Sequence, residues 1–266
     1  MKLIKHIFNT VKKESPILYA IVLLHFVLAV VCIGGILIDD RTVTGINVWI
    51  KPFKFWISGG IYILTLGFFI TKYPYSNIKK NIVRNIVSWT LLLEVGIIFY
   101  QAVRGVRSHY NQDSLFDGML FMAMGILIGI NVLVMILLAF DAARLKLKVA
   151  KPIQVAIFLG WVVVIVGSWV GGQMIGQNAH NVGIADGGDG LPILNWSTTA
   201  GDLRVAHFVA LHGIQIIPLF AWMLVKKWHA TMAKKTVAVI IFGLLFAACI
   251  AYVFYQAKQG MPLIKL

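Results

Sequence analysis

PILYAIVLLHFVLAVVCIGGILI, Pro16 to Ile38, is a run of 23 residues with no charge in it. A helix rises about 1.5 Å per residue, so such a run covers the roughly 30 Å of hydrocarbon in a bilayer. Lys12 and Lys13 precede it, and Asp39, Asp40 and Arg41 follow. It is long for the apolar part of a cleaved signal, and no small-residue cleavage pattern closes it. It reads as a first membrane-spanning helix with its N-terminus in the cytoplasm.

Six more spans follow by the same reasoning, at about 52–71, 85–105, 117–140, 152–175, 203–225 and 236–257. Residues 1–266 are expected to form a single all-α domain, a seven-transmembrane bundle with a cytoplasmic N-terminus and an extracytoplasmic C-terminus. The composition agrees: 59% of residues are hydrophobic and 13% charged, against about a quarter charged in a soluble domain. Cys32 and Cys249 stand alone in apolar runs, with no CxxC, and read as small buried hydrophobes.

The net charge of +14 is a matter of topology. Sixteen of the 24 basic residues fall in four clusters: Lys2, Lys5, Lys12 and Lys13; Lys72, Lys79, Lys80 and Arg84; Arg144, Lys146, Lys148 and Lys151; Lys226, Lys227, Lys234 and Lys235. They occupy alternate loops, as cytoplasmic positive charge does. They point to anionic lipid heads as a partner and the plasma membrane as the location. No basic stripe with interleaved aromatics is present, which argues against nucleic acid.

Polar chemistry concentrates between Gly176 and Gln215. This stretch holds His180, Asp186, Asp189, Trp196, Asp202, Arg204, His207, His212 and Gln215. Residues 178–202 form a glycine-rich outer loop, longer than most connections and expected to be ordered. Asp202 is placed to cap the following helix, and Pro218 is expected to bend it. Asp186-Gly-Gly-Asp189-Gly is too short for a calcium loop and reads as a tight turn.

Elsewhere, Lys54, Ser58, Tyr62 and Thr65 share a face of the second span, as do Thr90, Glu94, Gln101 and Arg104 of the third. Glu94 is the only acid inside an apolar run. An ionised group at mid-membrane costs about 2.5 kcal/mol or more, so a neutral or paired carboxyl is expected there. Gly125 and Gly129, and Gly160, Gly167 and Gly171, are spaced for close helix packing.

Counting about 1.5 Å per residue from the outer ends, Glu94 lies roughly 16 Å deep, Gln215 about 15 Å and His212 about 10 Å. The expectation is an outward-facing polar pocket. In it Glu94, His212 and Asp202 act as acid–base groups, and Lys54, Arg104, Arg204, Gln215 and Trp196 bind a small or lipid-soluble substrate. His109, His180, His207 and His212 are the candidate ligands of a transition metal (zinc, iron or copper) or of haem. His207 and His212 are five apart and diverge on a helix, so a shared metal needs a histidine from elsewhere. No HExxH or GxSxG motif is present. A metal- or haem-dependent membrane enzyme is the first expectation. A proton-coupled transporter or small-molecule receptor is the second, and a non-catalytic assembly partner the third.

Overall fold

The computed structural model describes residues 2–188 and 190–265. Its elements, in order, are α1 (Lys2–Glu14), α2 (Pro16–Ile38), β1 (Thr42–Val43), β2 (Ile46–Asn47), α3 (Ile50–Ile70), α4 (Asn77–Arg104), α5 (Leu115–Arg144), α6 (Lys151–Gly176), β3 (Asn181–Val182), β4 (Gly201–Asp202), α7 (Leu203–Leu211), α8 (Gly213–Lys227) and α9 (Met232–Lys258). Six helices (α2, α3, α4, α5, α6 and α9) are long and apolar enough to cross a membrane, and there are seven if the bent pair α7–α8 is one span. The chain is thus a multi-pass helical membrane protein by length and composition. Val30 on α2, Leu133 on α5 and Leu245 on α9 lie exposed, as side chains facing lipid rather than water do.

Two compact units divide the chain, Met1–Val134 and Met135–Leu266, with the boundary inside α5. In the first, α2, α3 and α4 pack together and α1 lies against α2 and α3. The segment holding the first basic cluster forms α1 because Leu3, Ile7 and Val11 recur at four-residue spacing and share one face; Val11 is buried. Buried Arg84 of α4 donates to the Glu14 carbonyl oxygen at 2.8 Å, pinning the end of α1. α4 begins at Asn77, not at 85, because Ser76 caps it by accepting from the Lys79 amide. Gly125 and Gly129 have nothing within 4 Å of a would-be Cβ, so the close approach expected there is not made.

In the second unit α6 packs on α7, α8 and α9. Its glycines do allow close contact. A Cβ at Gly160 would lie 3.0 Å from the Ile214 Cα, and one at Gly167 would lie 2.8 Å from the Ala210 Cβ. The span expected at 203–225 is broken by 43° at His212, six residues before Pro218. The imidazole Nδ1 of His212 lies 2.7 Å from the Phe208 carbonyl oxygen. The His212 amide reaches the same oxygen only at 3.3 Å. Side-chain competition for a helix carbonyl bends helices, and Gly213 follows at once.

β3 and β4 pair antiparallel, Asn181 opposite Asp202 and Val182 opposite Gly201. A Cβ on Gly201 would collide with the Ala257 carbonyl oxygen of α9. Gly201→Ala is therefore expected to cost about 1–3 kcal/mol by forcing backbone apart. An unchanged thermal midpoint in detergent would contradict this close approach.

Candidate functional site

In the first unit the polar stripe of α4 meets α5 at both ends. Asn131 Nδ2 donates to Thr90 Oγ1 at 2.6 Å. At the other end Gln101 Nε2 donates to Asp117 Oδ1 at 2.8 Å, and the Arg104 guanidinium pairs with the same carboxylate. Ser114 Oγ donates to Asp117 Oδ2 at 2.6 Å and accepts from the Asp117 amide at 3.1 Å. Between these bonded ends sits Glu94, 8% exposed, its Oε2 buried with no hydrogen-bond partner among the described residues.

The same unit has a polar rim around His109. Lys51 Nζ lies 3.2 Å from His109 Nδ1. An ammonium only donates, so Nδ1 accepts. Ser108 Oγ lies 3.1 Å from the same nitrogen. Lys54 lies half-buried one helical turn along α3 from Ile50. Ser58 and Thr65 turn their hydroxyls back onto their own helix, to the Phe55 and Ile61 carbonyl oxygens. Trp49 Nε1 donates to Asp39 Oδ2 at 2.8 Å, and Arg41 pairs with that carboxylate at 2.7 Å. The Arg41 side chain holds the Asp39 carboxyl well below the usual carboxylate range, helped by Trp49.

In the second unit two carboxylates organise the 178–202 loop. Asp186 accepts from the amides of His180 and Asn181 at 3.0 and 2.9 Å, and lies 2.9 Å from His180 Nδ1. Asp189 lies outside the described residues. Asp202 caps α7 by accepting from the Arg204 amide at 2.9 Å. It also accepts from the Ser197 amide at 2.9 Å and from Arg204 Nη2 at 2.6 Å. The same guanidinium reaches the Asn195 carbonyl oxygen.

Aromatic rings continue inward from this clasp. Trp196 meets Phe208 at 5.5 Å between centroids, and Phe208 meets His212 at 4.2 Å. His207 Nδ1 lies 2.7 Å from the Gly167 carbonyl oxygen of α6. Its ring would sit 3.1 Å from a Cβ on Gly171, so it fills the groove those glycines leave. Gln215 Oε1 is buried without a hydrogen-bond partner among the described residues.

The expected histidine metal centre is not assembled. Among the described residues no group of three or more His, Cys, Asp or Glu side chains is placed to hold a metal ion. The physical reason is that each histidine is committed separately: His109 to Lys51 and Ser108, His180 to Asp186, His207 to Gly167, His212 to its own helix. Comparison with protein-family models, with characterised proteins and with solved structures finds no match. The site is therefore read from its own chemistry.

Two residues escaped the sequence reading. Asp117 was visible only as an acid near a helix end, although Ser114-Leu-Phe-Asp117 carries the capping-box spacing. Lys51 gave no signal, since its partner His109 is 58 residues away.

The Asp186 clasp carries a pH dependence. Burial favours the neutral acid, but the His180 side chain and the His180 and Asn181 amides outweigh it and hold the carboxyl below its usual value. A lowered carboxylate pKa stabilises the folded loop above the unfolded value, about 3.9, and that contribution is lost as pH falls through the folded value. Protection of the His180 and Asn181 amides, taken relative to intrinsic exchange at each pH, is expected to be high near pH 6 and to fall in acid below pH ~4. In Asp186→Asn protection should be low at both pH values, and equal protection in wild type and variant would refute the clasp.

Proposed function

We propose that this chain is a proton-coupled carrier of a small polar solute in the plasma membrane, with its N-terminus in the cytoplasm. Glu94 is the group that takes up and releases the proton. One observation carries the reading: Glu94 is a buried carboxyl in a membrane-spanning helix, with an oxygen that has no partner among the described residues while its stripe-mates Thr90, Gln101 and Arg104 are bonded. A titratable side chain at membrane depth is costly and marks proton or solute handling.

The break at His212 favours a carrier over an enzyme. Interrupted helices expose backbone ends inside the membrane, where carriers bind solute, and Gln215 stands in the first turn of α8, past the break. The orientation follows from the four basic clusters in alternate loops, and the exposed lysines of α1 suit anionic lipid heads.

The test is proton movement into proteoliposomes carrying an internal pH dye. Wild type and Glu94→Gln are compared against a panel of small carboxylates, amines and sugars. Solute-dependent acidification in wild type and none in the variant supports the reading. Equal acidification in both, or none in either with every solute class, refutes it.

A further inference from the structure

The first unit also holds two buried polar atoms on α2 and α3. His25 of α2 is fully buried and Trp56 of α3 is 1% exposed. His25 Nδ1 lies 2.8 Å from the Ile21 carbonyl oxygen. A carbonyl only accepts, so Nδ1 carries the hydrogen and Nε2 presents a lone pair. That Nε2 is buried with no hydrogen-bond partner among the described residues, and so is the indole Nε1–H of Trp56. One is an acceptor and the other a donor. Their rings meet edge to face, 4.8 Å between centroids, yet the two nitrogens do not bond each other.

Burying either atom unsatisfied costs about 1–3 kcal/mol. Ala29, Cys32 and Val95 complete the buried hydrophobic cluster around Trp56, with Leu92 and Phe99 against it. Gly59 of α3 lies against the imidazole. A Cβ on Gly59 would lie 3.3 Å from His25 Nε2 and 3.7 Å from Val95 Cγ2. A side chain at 59 would therefore press on the edge of the imidazole that carries Nε2.

We propose that His25 and Trp56 together bind a single hydroxyl group in the core of the first unit. The hydroxyl hydrogen is donated to His25 Nε2, and the hydroxyl oxygen accepts from Trp56 Nε1–H. The chemistry selects this group. A carbonyl satisfies only the indole, an ammonium or a metal ion only the imidazole, and a hydroxyl satisfies both with one oxygen. A bound water molecule and the hydroxyl of a lipid-soluble alcohol or phenol share this chemistry. The site is independent of the role given to Glu94.

The test reads the two nitrogens directly in detergent-purified full-length protein. Ultraviolet resonance Raman spectra of wild type minus Trp56→Phe isolate one indole. Its N–H is expected in the hydrogen-bonded position. In Gly59→Ala, whose methyl occupies the space beside Nε2, it is expected to shift to the unbonded position. Ring packing without a hydroxyl leaves the indole unbonded in wild type and overturns the proposal.

Should Trp56→Phe fail to fold, nitrogen NMR of histidine-labelled wild type, assigned with His25→Asn, serves instead. A hydrogen-bonded Nε2 supports the site and a bare lone pair overturns it. Mass spectrometry of the solvent extract separates the sources. A stoichiometric alcohol or phenol that is lost in Gly59→Ala identifies a lipid-soluble ligand. A hydrogen-bonded signal in protein whose extract holds neither assigns the hydroxyl to water.

Discussion

Glu94→Gln is expected to fold and melt like wild type and to carry no proton-coupled flux. The amide has the shape of the protonated carboxyl and no proton to release. An ionised carboxylate at this depth costs about 2.5 kcal/mol or more, a cost that the neutral glutamine amide does not carry. The change in stability should stay within about 1 kcal/mol, as for substitutions that create neither a cavity nor a buried charge. Flux should fall by about 100-fold or more, the scale on which a positioned proton-transfer group acts. Infrared difference spectra add an independent check, because a protonated carboxyl band present in wild type should vanish in the variant. Full coupled flux in Glu94→Gln would reduce Glu94 to a hydrogen-bonding anchor and remove the central group of the carrier reading. Glu94→Ala is a weaker test, since it also opens a cavity.

The spans were legible because a bilayer imposes a length and a polarity on any helix that crosses it. Their ends were less so. Lys79, Lys80 and Arg84 cannot sit in hydrocarbon, and that marked 77–84 as loop. A helix ladder does not stop where the lipid does, and Ser76 starts α4 two turns earlier. In α1 the cluster Lys2, Lys5, Lys12 and Lys13 hid the spacing of Leu3, Ile7 and Val11 for a related reason. Pro218 drew attention to the right span, but the break falls at His212, where an imidazole takes up a carbonyl of its own helix. Such a bend depends on a rotamer, which composition does not report.

For the site, single-residue chemistry was readable and pairing was not. Glu94 stood out as the one acid in an apolar run, and Asp202 as a cap, because both inferences are local. Which base meets which acid depends on how helices register against each other. Arg104 was assigned to a substrate, and in the structure it pairs with Asp117 of α5. Four histidines near one membrane face suggested a shared centre. Their partners turn out to be a lysine, a carboxylate and two backbone carbonyls. His25 and Trp56 show the converse: 31 residues apart in the sequence, they gave no sign that their rings would touch.

Asp202→Ala should be the most destabilising single change in the 178–202 region. The side chain is 1% exposed, and it accepts from the Ser197 amide, the Arg204 amide and the Arg204 guanidinium. Alanine removes the cap of α7, worth about 1 kcal/mol. It also strips a charged partner from Arg204, which costs about 3–5 kcal/mol when both ions are buried. Arg204 is 23% exposed, so water softens that loss and the lower end of the range is expected. The damage should spread by geometry. Asp202 pairs with Asn181 across the β3–β4 ladder, and Arg204 anchors the Asn195 carbonyl. Losing the carboxylate therefore frees both sides of the loop together. Limited proteolysis should cut between 183 and 200 in Asp202→Ala, under conditions that leave wild type intact, with a thermal midpoint lower by several degrees. Asp202→Asn keeps a cap for the Arg204 amide and loses the ion pair, so it should fall between the two. If Asp202→Ala resists protease as wild type does, the loop is held by its aromatic contacts, Trp196 on Phe208 foremost, and not by the carboxylate.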